Sequence, residues 1–203
     1  MARPKKSDRN EMATVKIETA FWSLLETMRY SDITVLRVSQ EACINRNSFY
    51  YHYKDIDDLA QKAFTNNAEN EVSKTLISAL VSAFQEGMPA PVFDMSILPH
   101  SKRIMLCARS DSPYLNQLVN NLLKTVWFDS MSIQEEMMSE DEKLQSRFIS
   151  AGLVSVLGSQ EIKNNPLAMS TLSQTEISKA IISTMKSIAL KQQKQTSVNI
   201  GSL

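Results

Sequence analysis

Glycine is scarce in this 203-residue chain: four occur, at Gly87, Gly152, Gly158 and Gly201, and no two are close enough to build a phosphate-cradling loop. Neither GxGxxG nor GxxxxGK(S/T) is present, which removes the common nucleotide-binding loops. Proline is rare as well, with only Pro4 before residue 89. Cys43 and Cys107 are too few and too far apart for a disulfide framework or a zinc site, and His52 and His100 stand in unrelated settings. No metal, cofactor or catalytic residue is therefore expected, and an enzyme is not the expected class. No run of about 18 apolar residues exists, so no transmembrane helix is expected. The N-terminus, MARPKKSDRN, is basic but lacks the apolar core of a secretory signal, and a reducing cytoplasm is the expected compartment. Charge of one sign is also missing overall: 22 Lys and Arg balance 22 Asp and Glu. That balance argues against coating nucleic acid through bulk charge alone.

What remains is rich in helix formers, with few breakers and 43% hydrophobic residues, and it predicts an all-α fold. Charge is locally uneven: Arg3, Lys5, Lys6 and Arg9 oppose only Asp8. This stretch reads either as a solvated tail or as a basic arm lying along a polyanion.

Ile17, Ala20, Phe21, Leu24, Leu25 and Met28 follow an i, i+3, i+4, i+7, i+8, i+11 spacing, which predicts a helix over 9–29. Thr34 offers an N-cap to a short helix, VLRVSQEA, that buries Val35, Val38 and Ala42. Cys43, Ile44 and Asn45 interrupt it, and Asn45 can cap the next helix, RNSFYYHY, with Phe49 and Tyr53 four apart on one face. Asp55 and Asp58 resemble a capping box for a fourth helix carrying Ile56, Leu59, Ala60, Ala63 and Phe64. A long helix, two short ones joined by a three-residue turn and a further helix make the helix-turn-helix pattern.

Downstream, EVSKTLISALVSAF is predicted helical to Gly87, and MPAPVFDMSILPH reads as a connection. A short helix is expected over 101–110, and Ser112 with Pro113 opens another that runs to Phe128. MSIQEEMMSEDEK reads as a polar break, LQSRFISAGLVSVLG as a helix ended by Gly158, and IKNNPLAMSTLS as a loop. Ser173 and Glu176 suggest a second capping box, opening a helix with Ile177, Ile181, Met185 and Ile188 in register. KQQKQTSVNIGSL reads as a frayed tail.

Residues 33–59, ITVLRVSQEACINRNSFYYHYKDIDDL, resemble the signature of the TetR family of bacterial transcriptional regulators. The resemblance rests on Thr34, Val38, Ala42, Ile44, Ser48-Phe49-Tyr50, His52, Tyr53 and Leu59, with Ile17, Ala20, Phe21, Leu24 and Leu25 in the first helix. It implies an N-terminal DNA-binding domain over 9–65, a helical effector-binding and dimerisation domain over 66–192, and a flexible tail over 193–203. It also implies a homodimer that binds a palindromic DNA operator and leaves it when a small molecule enters the larger domain. The chain departs from the family pattern at four places: Cys43 stands at the turn glycine, Arg29 at the glycine ending the first helix, Leu36 (with Arg37 beside it) at a basic position, and Ile56 at a lysine.

A recognition helix presents hydrogen-bonding groups to the major groove from its outer face. With Phe49 and Tyr53 turned inward, Arg46, Asn47, Ser48, Tyr50, Tyr51 and His52 are left for the outside. Arg46 suits guanine O6 and N7 and Asn47 suits adenine N6 and N7, each good pair discriminating by roughly 1–3 kcal/mol. Ser48, Tyr50, Tyr51, His52 and Thr34 are candidates for phosphate, with Arg37 and Lys54 adding charge at the edge. Lys54 reads equally as a solvated lysine.

Met105, Trp127, Phe128 and Met131 give the second half adaptable apolar material that suits either a ligand pocket or a core. The helices at 144–157 and 176–190 are the dimer candidates by the resemblance; buried packing within one chain is the alternative. A helical scaffold that binds protein through its aromatic helix is the rival function. It has no need of the basic arm or of Arg46 and Lys54 beside the aromatics.

Overall fold

The computed structural model describes residues 6–68, 71–88, 99–165 and 167–200, and every regular element among them is helical. The N-terminal part comprises α1 (Lys6–Thr27), a 3-10 turn (Tyr30–Asp32), α2 (Val35–Glu41), α3 (Arg46–His52) and α4 (Ile56–Ala68). The apolar stripe of α1 is buried as its spacing predicts: Ile17 and Phe21 are fully enclosed, with Ala20, Leu24 and Leu25 beside them. Of the basic segment at 3–9, residues 3–5 lie outside the described residues, and Lys6 to Arg9 open α1.

The two short helices begin at the predicted caps. Thr34 Oγ1 accepts from the Arg37 N–H at 3.3 Å, and Asn45 Oδ1 accepts from the Ser48 N–H at 2.7 Å. Between them, the Cys43 N–H donates to Gln40 O and the Ile44 N–H to Ser39 O, the paired bonds that close a helix through a left-handed residue. That residue is Cys43, at φ 53, a conformation that favours glycine and costs a side chain about 1–2 kcal/mol. Asp55 caps α4 through the Asp58 N–H at 2.8 Å, while the Asp58 carboxylate reaches back to the Lys54 N–H at 2.9 Å. The reciprocal bond of the expected box thus falls one residue early.

The rest of the chain adds α5 (Glu71–Glu86), α6 (Pro99–Arg109), α7 (Pro113–Met131), α8 (Glu140–Leu157), α9 (Gln160–Asn164), α10 (Leu167–Leu172) and α11 (Glu176–Ile200). Gly87 ends α5 at φ 65, and Ser112 caps α7 with Pro113 in its first turn. Most of the expected connection at 88–100 lies outside the described residues. One apolar cluster joins Phe21, Phe49 and Leu59 to Cys107, Leu115, Val119 and Val154 of α6, α7 and α8. The expected division near residue 65 therefore falls inside α4, a helix that packs on both sides. A second cluster gathers Val81, Trp127, Phe128, Met138, Met185 and Ile188 from α5, α7, the segment after it and α11.

Four expectations in this half are corrected. The acidic break contains the start of α8, where Ser139 and Glu142 form a full capping box. The loop at 162–173 holds all of α10 and part of α9. Ser173 is buried and donates toward Met88 O at 2.8 Å, so the cap of α11 falls to Thr175, whose Oγ1 accepts from the Ser178 N–H. The segment read as a tail continues α11 to Ile200, with residues 201–203 outside the described residues. The physical reason is Gln192, which is buried and bonds both the N–H and the carbonyl of Gln134 at 2.9 Å.

Candidate nucleic-acid interface

The inner face of α3 is an aromatic anchor. Phe49 is fully buried and Tyr53 nearly so, their ring centroids 5.7 Å apart. The Tyr53 hydroxyl donates to Glu18 Oε1 at 3.0 Å, and the same carboxylate oxygen accepts from Asn66 Nδ2 at 2.8 Å, joining α1, α3 and α4. Burial and the Glu18 charge push the Tyr53 phenol well above its ordinary range, so it remains a donor at any working pH.

The outer face carries Arg46 and Asn47, both exposed, and Tyr50 and Tyr51, exposed by 57% and 65%. Two residues expected beside them are turned elsewhere. The Ser48 hydroxyl donates to Asn45 Oδ1 at 3.1 Å and belongs to the cap. His52 is half-buried, with Nδ1 3.4 Å from Thr14 Oγ1 and its ring edge-on to Tyr51. The helical screw explains it: His52 lies about 60° around the axis from Phe49, on the shoulder of the buried face. Thr34 is exposed and spends a lone pair on its cap. Arg37 is exposed and directs Nη1 toward Met28 Sδ at 3.7 Å. Leu36, exposed by 44%, offers apolar contact from the first turn of α2, and Lys54 is exposed just past α3.

Sequence reasoning missed Lys62. Its ammonium bonds Asp58 at 2.9 Å and the His52 carbonyl at 3.3 Å, and sits 5.4 Å from the Tyr53 ring centroid. The i, i+4 spacing of Asp58 and Lys62 on α4 was the available signal.

Trp127 and Phe128 are buried in the second cluster with Met131 packed against it, and Met105 is half-buried on α6. The cleft beside Trp127 and Phe128 measures about 10 Å³, at most one water's room. A wider groove of about 530 Å³ lies instead between α4, α5 and α7, where Phe64, Ala68, Leu122 and Val126 meet Gln61 and Asn121. No group of three or more metal-ligating side chains occurs among the described residues, and no helix there is long and apolar enough to cross a membrane.

α8 and α11 each present large apolar side chains to solvent. Phe148 is 83% exposed and Leu144 stands one turn before it, followed along α8 by exposed Ala151, Gly152 and Ser155. Ile177 and Leu190 are exposed on α11.

No family model matches the chain, and no curated protein matches it. Among solved structures it is similar to the TetR family repressor AlkX from Dietzia sp. strain DQ12-45-1b, implicated in biodegradation of n-alkanes. That alignment has 13% identity and a TM-score of 0.41 and covers 87% of this chain and 96% of the other. A HlyIIR mutant with an alanine-substituted stretch aligns at 12% identity and a TM-score of 0.38, covering 90% of this chain and 98% of the other. At TM-scores below 0.5 the likeness carries no functional weight.

Proposed function

We propose that the chain is a sequence-specific DNA-binding transcriptional regulator, a homodimeric repressor released from a palindromic operator by a small-molecule ligand. The observation that carries this is the division of α3 into two faces. Phe49 and Tyr53 lock the helix down while Arg46, Asn47, Tyr50 and Tyr51 stand out from it on a helix-turn-helix. In the major groove Arg46 reads guanine and Asn47 adenine, while the Tyr50 and Tyr51 hydroxyls, Arg37 and Lys54 hold phosphates and set register. His52 and Ser48 act behind that surface, as supports.

A palindrome needs two reading heads related by a two-fold axis. The exposed Phe148, Leu144, Ile177 and Leu190 support a second copy packing against α8 and α11, and the small residues of α8 allow close approach. The groove beside α4 supports a release mechanism. A ligand there touches the helix whose Lys62 and Asp58 hold both ends of the α3–α4 junction, so one that binds better to a shifted α4 displaces α3.

Gel-shift titration of DNA from upstream of the encoding gene, at graded salt, tests this. Log affinity falls linearly with log salt, Arg46→Ala flattens the preference between sequences, and Tyr50→Phe weakens all sites alike. Binding that ignores sequence in the unaltered protein contradicts the proposal.

A further inference from the structure

We propose that Tyr114 is a positioning residue for the reading head: from α7 it holds α4 and the 3-10 turn before α2 in the pose that meets DNA. The inference rests on the DNA-binding reading above. The Tyr114 hydroxyl donates to the Asp57 carbonyl at 3.0 Å, across 57 positions of sequence and in the first turn of α4. Its ring lies against Tyr30 of the 3-10 turn, with centroids 6.3 Å apart and planes inclined by 28°. The Tyr30 hydroxyl in turn donates to Asp57 Oδ1. Two tyrosines thus converge on one aspartate, one on its main-chain oxygen and the other on its carboxylate.

Both helices of the helix-turn-helix hang from this point. The 3-10 turn leads through Ile33 and Thr34 into α2, and Asp57 stands between Asp55 and Asp58, which hold the start of α4 and the Lys54 N–H. Around the two tyrosines the packing is apolar, with Ile56, Leu118 and Leu122 set against the first cluster. Apolar contact is non-directional and lets helices slide, whereas a hydrogen bond to one carbonyl fixes register. Burial, and then the Asp57 and Asp55 charges, push the Tyr114 phenol up, so it stays a donor. Arg29 and Asp111, on the flanking turns, pair at 3.9 Å but are exposed at both ends and contribute little.

Tyr114 also shares a helix face with the groove beside α4. Leu118, Asn121, Leu122 and Thr125 line that groove and follow Tyr114 along α7 at helical spacing. A shift of α7 at the groove therefore moves this hydroxyl relative to Asp57.

Hydrogen exchange and gel shift on full-length Tyr114→Phe, which keeps the ring and deletes the hydroxyl, test it. Exchange speeds up at the Ile33 amide, which donates to Tyr30 O, and at the Leu59 amide, which donates to Asp55 O. Across α8 and α11 it stays as in the parent. Affinity for the palindrome selected by the parent falls about three- to tenfold, the worth of one hydrogen bond, because less of the protein holds the binding pose. Base preference is kept. Tyr30→Phe costs less in that background than alone, since both hydroxyls act through Asp57. Val119→Ala, which removes buried contact from the same helix, is the control for lost stability: it lowers the unfolding midpoint and leaves operator affinity as it was. Unchanged exchange at Ile33 and Leu59, or exchange that rises evenly through the chain, overturns the proposal. So does parental operator affinity in Tyr114→Phe, or an equal loss in Val119→Ala. A parent that selects no palindrome contradicts the reading of α3 instead, and the exchange result still decides whether Tyr114 holds the head.

Discussion

Lys62 Nζ lies 3.3 Å from the main-chain oxygen of His52, so a side chain of α4 closes the C-terminal end of α3. The last carbonyls of a helix have no partner within it, and a cation there also suits the helix dipole. The same ammonium holds Asp58, whose carboxylate accepts from the Lys54 N–H. One lysine thereby fixes the pose of the whole reading surface relative to α4. Lys62→Met is expected to cost less than about 1 kcal/mol of stability, because both partners of the ion pair keep part of their surface in water. DNA affinity falls further than that, since α3 loses its fixed pose. Urea unfolding and gel shift on the same variant separate the two effects.

The Asp58 carboxyl carries a pH signature. Burial pushes it up, but the Lys54 N–H and the Lys62 ammonium outweigh burial and hold it below the usual carboxylate range. A depressed folded value means its contribution is present above the unfolded value, about 3.9, and is lost as pH falls through the folded one. The stability gap between the parent and Asp58→Asn should stay constant near neutrality and close below about pH 4. Urea midpoints across pH check this; a gap that widens in acid contradicts it.

Cys43→Gly should stabilise the protein by about 0.5–1 kcal/mol, since glycine takes the left-handed φ of 53 without strain and gives back part of the gain as chain entropy. Thermal unfolding measures it. Thiol labelling of the parent supplies a second readout. Cys43 is exposed and reacts, while burial pushes the Cys107 thiol up to about 12 and keeps it silent until unfolding. Two fast thiols in the native protein would contradict the packing of α6.

The N-terminal half was legible because its signals are local. Thr34 and Asn45 cap helices within three residues of themselves, and the buried stripe of α1 repeats at helical spacing. What went unread depends on distant contacts. His52 turns inward because Thr14 waits on another helix, and α11 runs on because Gln192 meets Gln134 across 58 positions. Trp127 and Phe128 carry a composition that pocket and core share, and only packing decides between them. At Ser173 the capping pattern was present, but Thr175 sat two residues nearer the helix.

Trp127→Ala separates core from pocket by its cost. A buried tryptophan removed from the second cluster should destabilise by about 3–5 kcal/mol. Chemical unfolding reads the loss. A change under about 1 kcal/mol would place Trp127 outside a packed core.

Phe148→Glu leaves the single chain's fold untouched, because the ring is already in water. In a second copy packed on α8 it buries a charge. Analytical ultracentrifugation should find the parent dimeric and the variant shifted to monomer, with unchanged circular dichroism. A variant as dimeric as the parent would remove this face from the interface.

Selection of bound sequences from a random DNA pool, run in parallel on the parent and on Arg46→Ala, tests the central claim most directly. The parent should enrich a two-fold palindrome with guanine at one position of each half-site, and Arg46→Ala should lose the preference at that position alone while keeping the rest. A pool that stays unenriched, or a motif indifferent to Arg46, would contradict the account of α3 as a reading helix.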